Sequence, residues 1–187
     1  AGLKEDVLLV LDGAYAEYVK QDDYDDGMEM ARDYPNVLMT RTFSKIHGLA
    51  GLRLGWAYGP ESVIDAVHRV RGPFNVTSVA QAACLAALGD DAFVAKSVAH
   101  NNGELARMRP ALEKMGFEVV PSVANFLLID FGSEARAEAA DVYLRSQGIV
   151  IRDMKAYGLP NFMRLSIGTT EANDDVLKAF DAFSKAS

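Results

Sequence analysis

A single cysteine, Cys84, excludes any disulfide within these 187 residues. It stands in the run A-A-C-L-A-A-L and reads as a small core residue rather than a nucleophile, so a reducing, cytoplasmic setting fits. Basic charge is also short. Lys and Arg number 19 against 26 Asp and Glu, giving a formal charge of −7 and a pI near 4.9. Nucleic acid and anionic membrane both require a basic face, so neither is expected as a partner. Long hydrophobic runs are missing too. Val7 to Leu11 is far too short to span a bilayer, and it follows acidic rather than basic residues, so it is not a signal peptide. The three histidines, His47, His68 and His100, have no metal-ligand spacing. The aspartates of residues 21–26 lack the spacing and closing glutamate of a calcium loop and read as a solvated loop. No metal is expected, and the chain carries no internal repeat and no low-complexity segment.

What is present is a half-apolar composition with 24% charged residues, that of a soluble globular protein with a core. Val7 to Leu11 is a continuous β-prone run ending in Asp12 and Gly13, the pattern of a buried parallel strand at its carboxyl end. The chain thus enters a core strand almost at once, which reads as the later portion of a longer protein. Residues 36–43 form a second expected strand and 53–58 a third. Residues 61–71 have helical spacing, stopped by Gly72 and Pro73. Thr77 caps a helix running to Leu88, and Asp90 or Asp91 opens a long one to about Met115, bent at Pro110 and bridging two domains. Beyond Gly116 the order is strand, strand, helix (134–146), strand, strand and a closing helix from Asn173. That is a small α+β domain with a mainly antiparallel sheet. The expected division is 1–100 and 101–187.

Two stretches carry chemistry. D-G-A-Y (12–15) puts a carboxylate and a phenol on the loop leaving a strand, where ligands of open α/β sheets gather. R-T-F-S-K-I-H-G-L-A-G-L-R-L-G-W-A-Y-G (41–59) sets Lys45 behind the hydroxyls of Thr42 and Ser44. Glycines at 48, 51 and 55 then permit turns, and Arg53 offers a planar fork suited to a phosphate. An amine, two hydroxyls and a guanidinium in one turn-rich segment suit a phosphorylated aldehyde held covalently. By itself the segment reads as well as a glycine-rich loop with a solvated lysine.

The ordered set D-G-A-Y, T-F-S-K and G-L-A-G-L-R-L-G-W closely resembles the fold-type I, class I/II aminotransferases that depend on pyridoxal 5'-phosphate (PLP). Within them the pattern is most similar to the histidinol-phosphate aminotransferases. P-S-V-A-N-F (121–126) and G-I-V-I-R-D-M-K-A-Y-G-L-P-N-F-M-R-L-S-I-G-T (148–169) support the same match. The resemblance implies an α/β fold of the aspartate aminotransferase-like type. Residues 1–100 would be the C-terminal part of the PLP-binding large domain and 101–187 the small C-terminal α+β domain. Only about the second half of such an enzyme is covered.

By that resemblance Lys45 is the lysine that binds PLP covalently and later acts as general base. Asp12 pairs with the pyridine nitrogen, and Tyr15 hydrogen-bonds the ring oxygen. Thr42, Ser44 and Arg53 hold the phosphate, while Arg164, with Arg152 as a second, grips the substrate's anionic group. A carboxylate about 4 Å from the ring nitrogen contributes roughly 4 kcal/mol at an effective dielectric near 20, or about three pKa units, which keeps that nitrogen protonated. Arg152 and Arg164 should stand side by side across a turn at 156–161 and repel unless an anion binds between them. The implied reaction converts histidinol phosphate and 2-oxoglutarate to imidazole-acetol phosphate and glutamate in a cytoplasmic homodimer. Aromatic-amino-acid transamination and phosphothreonine decarboxylation fit the same pattern. A reading of another class is a truncated fragment or assembly module, inactive alone, since the upstream glycine-rich loop and the ring-stacking aromatic residue are absent from these residues.

Overall fold

The computed structural model describes residues 3, 4 and 6–186. The chain divides into two compact units, Ala1–Val98 and Ala99–Ser187. In the first, strand β1 (Leu9–Asp12) runs parallel to β2 (Val37–Thr42), which pairs antiparallel with β3 (Gly55–Tyr58). The sheet order is β1-β2-β3. Between β1 and β2 the chain makes a 3-10 turn, Ala16–Tyr18, and a short helix α1, Met28–Asp33. The sequence gives little sign of α1, because its six residues are too few for a periodic pattern. It starts where Asp25 Oδ1 accepts the Gly27 N–H at 2.7 Å and Asp26 Oδ1 that of Met28 at 2.9 Å. Gly27 has φ 85°, the left-handed region that glycine enters freely.

β1 is not the fully buried strand that its composition suggests. Leu9 and Leu11 pack against Ala31, Val37 and Met39, but Val7, Leu8 and Val10 are exposed. A run apolar on both faces needs two covering layers, and the described residues cover one. β3 begins at Gly55, not at Arg53, because Arg53 has φ 54° and cannot lie in a strand. Helices α2 (Glu61–Val70) and α3 (Ser78–Leu88) follow, the latter capped as expected, with Thr77 Oγ1 accepting the Ala80 N–H at 3.1 Å. Helix α4 (Asp91–Lys114) opens with Asp90 Oδ1 accepting the Phe93 N–H and runs on through Pro110.

The second unit is an antiparallel sheet of order β4-β5-β7-β6, comprising β4 (Glu118–Val120), β5 (Phe126–Asp130), β6 (Arg152–Asp153) and β7 (Phe162–Ser166). Helices α5 (Glu134–Ser146) and α6 (Thr170–Ala186) complete it. Alternate strand residues Leu127, Ile129, Met163 and Leu165 face a core that includes Leu112, Leu144 and Phe180. Phe117, Phe131 and Phe180 meet there with ring centroids 5.2–6.0 Å apart. α6 starts at Thr170 rather than Asn173. Thr169 Oγ1 accepts the Ala172 N–H at 3.3 Å and so takes the capping role, while Asn173 turns inward and is buried. The first of the two strands expected after the helix at 134–146 is reduced to Arg152–Asp153.

Candidate active site

Because β1 and β2 are parallel and adjacent, the loops leaving their carboxyl ends emerge together. Asp12 stands opposite Thr40 in the register. The Asp12 carboxylate is exposed, and its Oδ1 accepts the Ala14 N–H at 3.1 Å. Its Oδ2 has no protein partner among the described residues. Three residues on, the half-buried Tyr15 lies beside Tyr18, centroids 6.4 Å apart. Burial first, then the neighbouring Glu17 and Tyr15, pushes the Tyr18 phenol above its ordinary pKa. Tyr18 is therefore a neutral packing residue, set against Ile46 and Val98.

The β2–β3 connection doubles back on itself. Phe43 N–H donates to Leu54 O at 3.2 Å, Leu49 N–H to Phe43 O at 3.0 Å, and Gly48, at φ 69°, donates to Lys45 O at 2.9 Å. Lys45 Nζ is held 5.1 Å from the centre of the Tyr15 ring, a cation–π contact that joins the two motifs in space. Thr42 Oγ1 accepts the Ser44 N–H at 3.0 Å. Arg53 Nη1 donates to Ala50 O at 2.8 Å and reaches Ser44 Oγ at 3.5 Å. The left-handed backbone of Arg53 costs a non-glycine residue roughly 1–2 kcal/mol, a kind of strain that clusters at functional sites. Its Nε and Nη2 have no protein partner among the described residues. Two hydroxyls and an exposed guanidinium with donors to spare form a set that fits a phosphate, so these residues are chemically suited to PLP. His47 packs its ring 5.1 Å from Phe43, with Nδ1 buried and without a hydrogen-bond partner among the described residues.

Arg41 was given no role by sequence reasoning, yet it is the buried charge of this site, 9% exposed. Its Nη1 donates to Gly13 O at 3.2 Å, and its Nη2 to Asp26 O at 3.3 Å and Asp26 Oδ2 at 2.8 Å. The signal was available, since an arginine inside a strand of buried apolar residues must find partners. What hid it is that the partners lie 28 and 15 residues away.

In the second unit Arg152 and Arg164 are direct register partners across β6 and β7. Arg152 Nη2 donates to the Tyr157 hydroxyl at 3.0 Å, and its guanidinium lies 5.3 Å from that ring's centre. Arg164 lies 5.0 Å from the Phe126 ring centre, with Nε buried and without a hydrogen-bond partner among the described residues. Both line a cleft of about 470 Å³ together with Arg145, Ser166, Gly168 and Asn173, a setting suited to an anion. Behind it, the buried Glu104 carboxylate accepts from Arg107 and Asn173 at 2.6 Å and from Thr170 at 3.1 Å. Asn173 in turn binds both the N–H and the C=O of Gly168. The Arg107 guanidinium, foremost, with the Asn173 and Thr170 donors, holds Glu104 below the ordinary carboxylate pKa.

The family model described as aminotransferase class I and II matches residues 3–180. The histidinol-phosphate aminotransferase of Granulibacter bethesdensis is 52% identical over 183 residues, 98% of this chain and 50% of that protein. That of Maricaulis maris is 50% identical over 187 residues, 99% of this chain and 52% of the relative. Among solved structures, histidinol-phosphate aminotransferase from Sinorhizobium meliloti in complex with pyridoxal-5'-phosphate superposes with a TM-score of 0.90 at 31% identity, covering 98% of this chain and 50% of that one. The aspartate aminotransferase of Thermotoga maritima shares the fold, with a TM-score of 0.84 at 22% identity. The chain spans about half the length of the curated relatives it matches.

Proposed function

This chain belongs to the class I and II aminotransferase family, and from that premise we propose that it provides the lysine-bearing part of a PLP-dependent aminotransferase exchanging amino groups between histidinol phosphate and 2-oxoglutarate. The observation that carries the reading is the Lys45 amine set over the Tyr15 ring at 5.1 Å, beside the strand end that bears Asp12. Residues 1–100 are the partial PLP-binding domain in this reading and residues 101–187 the small domain.

When bound, PLP supplies an electron sink for the charge left on a substrate carbon that has lost its proton. The residues of the chain do the rest. Lys45 Nζ would hold the cofactor covalently and would serve as the general base for the substrate's α-proton, a role that requires the neutral amine. Asp12 would pair with the ring nitrogen and keep its proton in place. The Tyr15 hydroxyl would donate to the ring oxygen. Thr42, Ser44 and Arg53 hold the phosphate, with Arg53 already turned toward Ser44. Arg152 and Arg164, paired across one ladder, bind the phosphate of the amino donor or a carboxylate of the acceptor.

Borohydride reduction of the chain mixed with PLP, followed by peptide mass spectrometry, tests the cofactor half of this reading. A mass increment on Lys45 is expected, and its absence in every form of the protein overturns the assignment. Turnover of phenylalanine without turnover of histidinol phosphate would replace the substrate. The length relation favours a second reading, in which the chain takes up PLP only when supplied with a polypeptide matching the remaining half of its relatives. Trapping on Lys45 in the mixture but not in the chain alone selects that reading.

A further inference from the structure

We infer that Arg41 is a positioning residue, a buried tie that fixes the Asp12–Tyr15 loop against the Thr42–Lys45 segment and so sets the spacing of the groups assigned to the cofactor. The inference rests on the functional reading above but on different observations. The β1–β2 ladder ends at Asp12 opposite Thr40. One residue further Gly13 N–H still donates to Thr40 O at 3.0 Å, and there the Arg41 side chain folds back and supplies the next link, Nη1 to Gly13 O at 3.2 Å. Gly13 O also accepts the Ala16 N–H at 3.1 Å, so a single carbonyl joins the guanidinium to the start of the turn that carries Tyr15 and Tyr18. From the other side Nη2 is fixed by Asp26, through both its carboxylate and its carbonyl.

Close approach is built into the backbone. A Cβ on Gly13 would stand 2.7 Å from Arg41 Nη1 and 3.0 Å from Thr40 O. The glycine of the first motif and the arginine that opens the second therefore account for each other. Arg41 is not itself an anion ligand, because its side chain is 8% exposed and its charge is already met by Asp26 at 2.8 Å. Its fork supplies three bonds in one plane, which an ammonium cannot reproduce. At the far end of the same two segments, the contact of Lys45 with Tyr15 closes the circuit. The tie adds to the Gly13–Thr40 backbone bond, the cation–π contact and the packing of Tyr15 and Tyr18 against Ile46, and it is the charged, directional link among them.

The test is amide hydrogen exchange together with PLP titration on Arg41→Lys and Asp26→Asn. Loss of a charge-assisted bond should speed exchange at Gly13, Ala14 and Ala16 about tenfold and weaken PLP by a similar factor. Exchange at Ala80 to Cys84 in helix α3 of the same unit should stay unchanged. If Arg41→Lys speeds exchange in α3 as well, the fold has loosened, and Asp26→Asn, altered at a half-exposed carboxylate, decides in its place. Unchanged exchange at residues 13–16 in both variants overturns the tie. Faster exchange with unaltered PLP affinity overturns the positioning role and leaves a stabilising bond. If the unsubstituted protein takes up no PLP in any form, the functional reading fails, and exchange alone decides whether the tie exists.

Discussion

Each functional group proposed for this site is set by a neighbour that makes a different change costly. Lys45→Arg keeps the positive charge but removes the neutral amine, and turnover should fall by at least about 10³-fold, the upper range for loss of a general base; single-turnover kinetics on the reconstituted protein checks this. Arg53 offers a test in the opposite direction. Its φ of 54° is a strain that asparagine tolerates better. Arg53→Asn should therefore raise the melting temperature or leave it unchanged while weakening PLP at least about tenfold, since a charged phosphate contact is lost. A fall in both would show that Arg53 contributes packing rather than binding. Gly13→Ala should destabilise the first unit by about 1–3 kcal/mol through overpacking against Arg41 and Thr40, measured by urea titration. The roles proposed for Lys45, Asp12 and Tyr15 were legible in the sequence through the resemblance of their ordered motifs to the family. The role of Arg41 was not, because it follows from what a side chain meets after the chain has returned.

At the scale of elements, the turn from β7 into α6 depends on one buried carboxylate. Glu104 on α4 fixes Asn173 and Thr170 at the start of α6, and Asn173 fixes Gly168 beyond Arg164. Because the folded pKa of Glu104 lies below its ordinary value, the folded state binds this proton less well than the unfolded chain. Its stabilisation is complete above the unfolded pKa, about 4.3, and is lost as pH falls through the lower, folded value. The second unit should therefore lose stability below about pH 4, and Glu104→Gln should flatten that part of the profile. Urea midpoints of the two proteins at pH 7 and pH 3.5 give the comparison; parallel losses would exclude Glu104 as the cause. The same element shows why the helix start was misplaced. Asparagine is a preferred N-cap, so Asn173 looks like a beginning, whereas its amide is spent on Glu104 and Gly168 inside the fold. Likewise Arg53 alternates like a strand residue, but its backbone turns left-handed and β3 waits for Gly55.

At the scale of the molecule, the first unit presents much apolar surface. α2 has a clear apolar stripe and no buried residue. Phe74 is 97% exposed and Val70 84%, and Phe43, Trp56, Cys84, Leu85 and Leu88 line an apolar cleft of about 430 Å³. Such surface seeks a covering partner. The chain by itself is thus expected to bind the dye ANS strongly, and a polypeptide matching the other half of its relatives should suppress that signal; equal fluorescence with and without it would show that the surface is not completed in this way. Composition already excluded internal disulfides, and the ordered motifs named the family, because charge, residue type and spacing are properties of the chain before it folds. Helices α2 to α5 and the antiparallel second sheet were readable for the same reason, as local periodicity encodes them. The placing of Arg152 opposite Arg164, the tie from Arg41 to Gly13 and Asp26, the inward turn of Asn173 and the bare face of β1 were decided only by tertiary structure. Each depends on which distant segments come into register or leave a face uncovered, and no local pattern carries that information.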